Sequence, residues 1–348
     1  MSKNFFENFS VNNLKHNFYF ALCGLVLLTS QTPITKTNLV AIIISLIALL
    51  IIASLVSPSE LLKPVKKASL SIKIFSCLTA LGVSIQTDFF LVEKIYRFGK
   101  ILVPYLLYVR IAAAFASFIF AYVCVIYFWD KFIALIKSRK LFNGLTRGEV
   151  IFYCVIFAAS IYFCTNIFMR SNAFYASGHL FDIIYYSDSD SILVGNCFMR
   201  IFHTENDIRQ PLFAIFAIPF MGVPYLLSRV AAILFGQENF FRALFMNYVQ
   251  IAMLLAGVIM LSKTMRLKSL YRGIFASLFC CSYIYLLFIL MIEQYIIAFF
   301  WLSLAVYIAC EKDISESDSL VLYGAGGTLS TSFAITPFYV RGGGQYYV

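Results

Sequence analysis

Charge is what this sequence has least of. Only 13% of its 348 residues are Asp, Glu, Lys or Arg, where a soluble globular chain carries about 25%. That shortage argues against a set of soluble domains of the kind the length alone would suggest. No P-loop, G-x-G-x-x-G or H-E-x-x-H pattern occurs, so ATP-driven transport and zinc proteolysis have no support. No Cys/His spacing matches a zinc site. Linkers rich in Gly and Ser, repeats and low-complexity runs are also missing, so no separate soluble domain is implied. The alternating pattern of a membrane β-barrel is absent.

What is present is apolar: 61% of the chain. The apolar residues fall in blocks of about 20, long enough as helices to cross a hydrocarbon core of ~30 Å. Lipid offers the backbone no hydrogen bonds, so each block must satisfy its own amides as a helix. The expected fold is all-α and polytopic, with about nine transmembrane helices over 17–30, 38–57, 72–88, 102–129, 149–169, 240–262, 273–292, 294–310 and 319–340. Residues 1–148 read as an N-terminal four-helix membrane region and 149–348 as a membrane core with an external loop at 170–239. The first run, Phe18–Leu28, precedes Thr-Ser-Gln-Thr-Pro rather than a small-residue cleavage site, and reads as a retained span. Eight of the nine cysteines lie in or beside apolar blocks as small hydrophobes, and Cys197 stands in a polar loop.

The formal net charge of +10 comes from short clusters between the blocks. There is no extended basic face, so nucleic acid is not an expected partner. Lys63/Lys66/Lys67/Lys73, Lys131/Lys137/Arg139/Lys140/Arg147 and Lys263/Arg266/Lys268/Arg272 all face the cytoplasm if the positive-inside bias holds. The N-terminus is then cytoplasmic, in a multi-pass cell-membrane protein of the cell envelope. The apolar block 211–235 is awkward for that topology, because a full crossing would place the third cluster outside. Pro211, Pro219 and Pro224 also break a single straight helix. The reading is an interfacial segment that enters without crossing, and an ordinary tenth span with one inverted cluster stays open beside it.

The one long polar stretch, Arg170 to Gln210, holds Asp182, Asp188, Asp190, Glu205 and Asp207, five of the 17 carboxylates. In Ser187-Asp188-Ser189-Asp190 the two carboxylates diverge if extended and converge on a cation or a proton donor if the run is a turn. Beside Tyr185 and Tyr186 a buried carboxylate would serve as a general base; a solvated helix cap is the plainer alternative. On a helix, His203 would share a face with Asp207, and Glu205 with Arg209. That is either a surface pairing or a phosphate anchor built on the guanidinium fork of Arg209. Arg110 lies inside an apolar block, facing either protein interior or, by snorkelling, the interface. Glu293 separates two blocks and reads as the outer rim of a tight helical hairpin.

The order of these features resembles the GT-C class of membrane glycosyltransferases, which includes protein O-mannosyltransferases and the aminoarabinose transferases of lipid A. The resemblance covers about residues 149–335. An outward helix is followed by an acidic loop, then by Gln210-Pro211-Leu212, where the class has a His-Pro-like motif, and by Gly236 and Arg242 opening the next span. Glu293 and the Gly/Thr-rich stretch 324–331 are also similar to bacterial members. The resemblance implies a polyprenyl-phosphate-linked sugar donor besides membrane lipid as partners. Asp188 or Asp190 would then act as base or position a divalent metal on the donor phosphate. His203 is a second-choice base, Arg209 and Arg242 hold the phosphate, and Asp182, Glu205, Asp207 and Glu293 support them. Gln210 stands in place of the class histidine, and only five spans follow from 149 on, so a truncated chain is expected. The alternatives are a transporter or lipid flippase, with ionisable groups and discontinuous helices near the bilayer midplane, and a non-catalytic scaffold.

Overall fold

The computed structural model describes residues 10–31, 43, 46–47, 49–51, 53–54, 57–98, 104–170, 213–236, 238–310 and 318–329, and the regular structure in them is helical throughout. The elements are α1 (Val11–Gln31), α2 (Pro58–Lys67), α3 (Leu70–Phe98), α4 (Leu106–Ser138), α5 (Arg147–Arg170) and α6 (Phe213–Phe235). They continue as α7 (Glu238–Thr264), α8 (Ser269–Cys280), α9 (Tyr283–Phe288), α10 (Gln294–Ala309) and α11 (Ser319–Leu329). The chain is an all-α, multi-pass membrane protein. Among the described residues five helical stretches are long and apolar enough to cross a bilayer: Leu70–Asp88, Leu106–Ser138, Arg147–Arg170, Ile215–Phe235 and Phe240–Thr264. Nine spans were expected. The expected span 17–30 lies in α1, whose first turns carry Asn12, Asn13, Lys15, His16 and Asn17. The expected spans 38–57 and 319–340 lie only partly within the described residues.

The chain divides into two compact units, and the boundary falls inside α4 at Asp130/Lys131. In the first unit polar side chains serve the backbone of neighbouring helices. Asn17 donates to the Ala53 carbonyl at 3.0 Å, and Ser84 to that of Ala114 at 2.7 Å. Lys94 donates to the carbonyls of Thr29 and Ser30, both at 2.5 Å, placing a cation on the negative C-terminal end of α1. Arg110 pairs with Asp88 through two bonds of 2.8 and 2.7 Å. Arg110 thus has a charged partner, but the pair is not buried in the interior: its side chains are 40% and 28% exposed. Gly24 lets α4 approach, since a Cβ there would stand 2.6 Å from the Phe120 ring.

The second unit is organised along α7. Its C-terminal end carries the basic residues: Lys263 donates to the carbonyls of Lys140, Leu141 and Asn143 beyond α4. Near it Arg272 of α8 forks onto Glu149 at 2.6 and 3.0 Å. The second and third basic clusters therefore share one end of this unit, as the positive-inside argument required. Both α4 and α7 close there with a residue in the left-handed region, Lys140 at φ 48° and Arg266 at φ 53°. In both, the following N–H reaches back to a carbonyl of the last turn, Leu141 to Ile136 and Leu267 to Ser262, each at 3.3 Å.

α5 runs antiparallel to α7. Tyr153 packs with Val258 and Ile259, the Thr165 and Tyr248 hydroxyls meet at 2.6 Å, and Phe168 stands 6.3 Å from Phe240. α6 joins α7 through Gly236, whose φ of 73° suits the residue without a Cβ. The expected proline break is absent, because Pro219 and Pro224 both lie inside the continuous α6. A spanning helix keeps such prolines when neighbours and local adjustment satisfy the freed carbonyls. The expectation of an interfacial segment that enters without crossing is corrected here: Ile215–Phe235 is one helix long and apolar enough to cross. The ring of Phe216 lies 5.1 Å from Trp301, toward the basic end, and Phe235 lies 5.4 Å from Phe241 at the far end. So α6 runs from the basic end to the far end. Arg170, closing α5 on the Phe240 side, and Phe213, opening α6, lie at opposite ends of this unit. The sequence reading had put both on one external face.

Candidate functional site

Most of the residues singled out in the acidic stretch, namely Asp182, Asp188, Asp190, His203, Glu205, Asp207 and Arg209, lie outside the described residues. Arg242 and Glu293 lie within them. The structure sets these two in different surroundings.

Glu293 is not at a rim. The 38-residue apolar region 273–310 was expected to cross twice, as 273–292 and 294–310. It forms instead a broken hairpin of α8 with 12 residues, α9 with 6 and α10 with 16. α8 leaves the basic end, since Arg272 holds Glu149 there. α10 returns to the same end, where Lys263 sits over the Tyr307 ring at 5.4 Å. The apex lies against the middle of α7: Gln250 is the thirteenth of that helix's 27 residues, about 20 Å from either end.

Two amides of α7, three residues apart and so on one face, hold the apex. Asn247 donates to the Ile289 carbonyl at 2.8 Å. Gln250 donates to the Glu293 carbonyl at 2.8 Å and accepts from the Glu293 N–H at 3.4 Å. Non-helical backbone at membrane depth survives only where protein supplies such partners. Both amides are fully buried, and Glu293 and Gln294 are each 6% exposed. Hydroxyl contacts tie the same level to α5, with Ser160 and Tyr285 at 2.7 Å. Sequence reasoning passed over Asn247 and Gln250. The available signal was two amides spaced i, i+3 inside an otherwise apolar block.

Arg242 sits one turn into α7 at the far end, 6% exposed, with its guanidinium 5.5 Å from the centre of the Tyr225 ring. An aromatic face is a favourable neighbour for that cation. Gly236 and Arg242 thus share one hairpin, where Gly236 makes the turn and Arg242 puts a buried positive charge beside it.

At the basic end Arg139 pairs with Asp318 ahead of α11, one of its bonds running from Nε at 3.1 Å. α11 then rises with Gly324 against Trp301, where an added Cβ would come within 2.6 Å. Among the described residues no group of three or more His, Cys, Asp or Glu is placed to hold a metal ion, and the eight described cysteines are all free thiols. No protein family matches this chain, nor does any curated protein sequence or solved structure.

Proposed function

We propose that this chain is a membrane glycosyltransferase of the GT-C kind, moving a sugar from a polyprenyl phosphate to an acceptor. The observation that carries this reading is Arg242, a buried guanidinium at the far end of the spanning helices, in the position the resemblance gives to a donor-phosphate ligand. A planar fork suits phosphate oxygens, and in a dry site its charge acts strongly on the charge that develops on a leaving group. Asp188 or Asp190 takes the proton of the acceptor nucleophile, or else positions a divalent metal on the donor phosphate. The nucleophile bonds to the anomeric carbon, the bond from that carbon to the phosphate oxygen breaks, and the polyprenyl phosphate leaves with the electron pair. Arg209 and Arg242 stabilise it, and His203 is the alternative base.

The test is donor consumption by membranes carrying the full chain. Asp188→Asn or Asp190→Asn should lower turnover about 10²–10⁴-fold. Arg209→Lys should lose nearly as much as Arg209→Ala, because a point charge does not replace the fork. Wild-type turnover in both aspartate variants would remove this reading.

A second reading, a transporter or lipid flippase, is favoured by the broken hairpin. A discontinuous helix with a buried carboxylate at mid-depth is where such proteins bind their cargo. Purified protein that leaves the lipid-linked donor intact but speeds its passage across proteoliposome membranes would select it.

A further inference from the structure

The second unit carries a partly open cavity of about 390 Å³, within the range of about 300–1,000 Å³ typical of small-ligand sites. None of the chemistry proposed above uses it. Its walls are apolar side chains apart from Tyr248, whose hydroxyl is engaged with Thr165 at 2.6 Å. A polar ligand would lose its hydration there with no hydrogen bond in return, so the lining suits hydrocarbon. The cavity runs from Leu141, Phe142 and Met260 at the basic end to Phe157 and Tyr248 at mid-depth. Tyr248 and Met260 lie twelve residues apart on α7, about 18 Å along its axis. The hydrocarbon of one leaflet is about 15 Å deep. One side opens outward, since Phe142 is half-exposed and Ala252 is exposed. Lys140 directly precedes the wall residue Leu141 and lies one turn beyond Ile136, another wall residue, and both Lys140 and Lys137 are exposed.

We infer that this cavity holds one acyl chain of an anionic phospholipid from the leaflet at the basic end, with Lys137 and Lys140 on its headgroup. Depth, apolar walls and charge together select that occupant. The site is separate from the far-end phosphate site of Arg242 and stands whether or not the chain transfers sugar.

Binding to the delipidated full chain in detergent tests it, by native mass spectrometry with phosphatidylglycerol, phosphatidylcholine of the same chains and a polyprenyl phosphate. Phosphatidylglycerol should bind saturably and more tightly than phosphatidylcholine. Lys137→Gln and Lys140→Gln should each weaken it roughly fivefold, as for one basic residue near an anionic surface, and leave phosphatidylcholine unchanged. Ala252→Phe fills the cavity from an exposed position and should abolish binding with the helical circular dichroism intact. Ala256→Leu, from a half-buried position, should do the same. Undiminished phosphatidylglycerol binding by both filled variants overturns the inference, as does equal affinity for the two phospholipids. Displacement of phosphatidylglycerol by the polyprenyl phosphate also overturns it and makes the cavity a donor-tail site. Donor consumption by the aspartate variants is read separately, so the two proposals can fail independently.

Discussion

Replacing Gln250 by methionine is the most direct test of how the hairpin apex is held. The change is close to isosteric and removes both hydrogen bonds from α7 to the Glu293 backbone, at 2.8 and 3.4 Å. The Glu293 carbonyl still accepts from the Ile296 N–H at 3.2 Å, so its loss is partial. The main cost is the buried Glu293 N–H, deprived of its Gln250 acceptor. Leaving such a group unsatisfied costs about 1–3 kcal/mol. Side-chain hydrogen bonds between membrane helices average only ~0.6 kcal/mol, because the separated helices find other partners. An extended backbone at mid-depth has fewer substitutes, so the larger range applies, and about 2 kcal/mol is expected. For a cooperative unit of this chain's size that corresponds to a fall in Tm of about 3 °C. The fall should come with faster hydrogen exchange confined to the backbone amides of residues 289–296. The companion Asn247→Leu should fall less. It strips the donor from the Ile289 carbonyl, but it also removes a buried Oδ1 that has no hydrogen-bond partner among the described residues. A Gln250→Met protein with wild-type Tm and unchanged exchange over 289–296 would refute the clamp.

The Glu149–Arg272 pair, with side chains only 6% and 13% exposed, should cost about 3–5 kcal/mol when either partner alone is truncated. Arg272→Ala and Glu149→Gln combined should cost far less than their sum, and additive losses would deny the coupling. Gly257→Ala should lower Tm, because its Cβ would stand 2.5 Å from the Phe299 ring, an overpacking cost of about 1–3 kcal/mol. Gly273→Ala, which meets nothing within 4 Å, should be neutral or stabilising by up to about 1 kcal/mol; equal effects at the two sites would contradict the packing. In a cysteine-free background, an impermeant maleimide should reach cysteines at positions 170 and 238 from one face of the membrane and one at position 215, where Ile215 is 47% exposed in the first turn of α6, from the other. Labelling of all three from the same face would restore the external placement of 170–239.

The sequence alone determined that this is a helical membrane protein and that two of its basic clusters share one end. Both follow from local chemistry. A block of about 20 apolar residues has to satisfy its own amides in lipid, and Lys263 and Arg272 are cations wherever the chain goes. The sequence could not determine the depth of Glu293. Hydropathy counts apolar residues without regard to depth, and region 273–310 is apolar on both sides of that carboxylate. The break there is fixed by Asn247 and Gln250, on another helix 42 and 43 residues earlier in the chain than the carbonyls they hold. The prolines of α6 misled for a related reason. A proline removes one hydrogen bond locally, but whether the helix parts there depends on what its neighbours return, and that is set by packing against α7 and Trp301. Tertiary structure likewise decided that Arg110 faces Asp88, since the two lie on separate helices and no local pattern relates them.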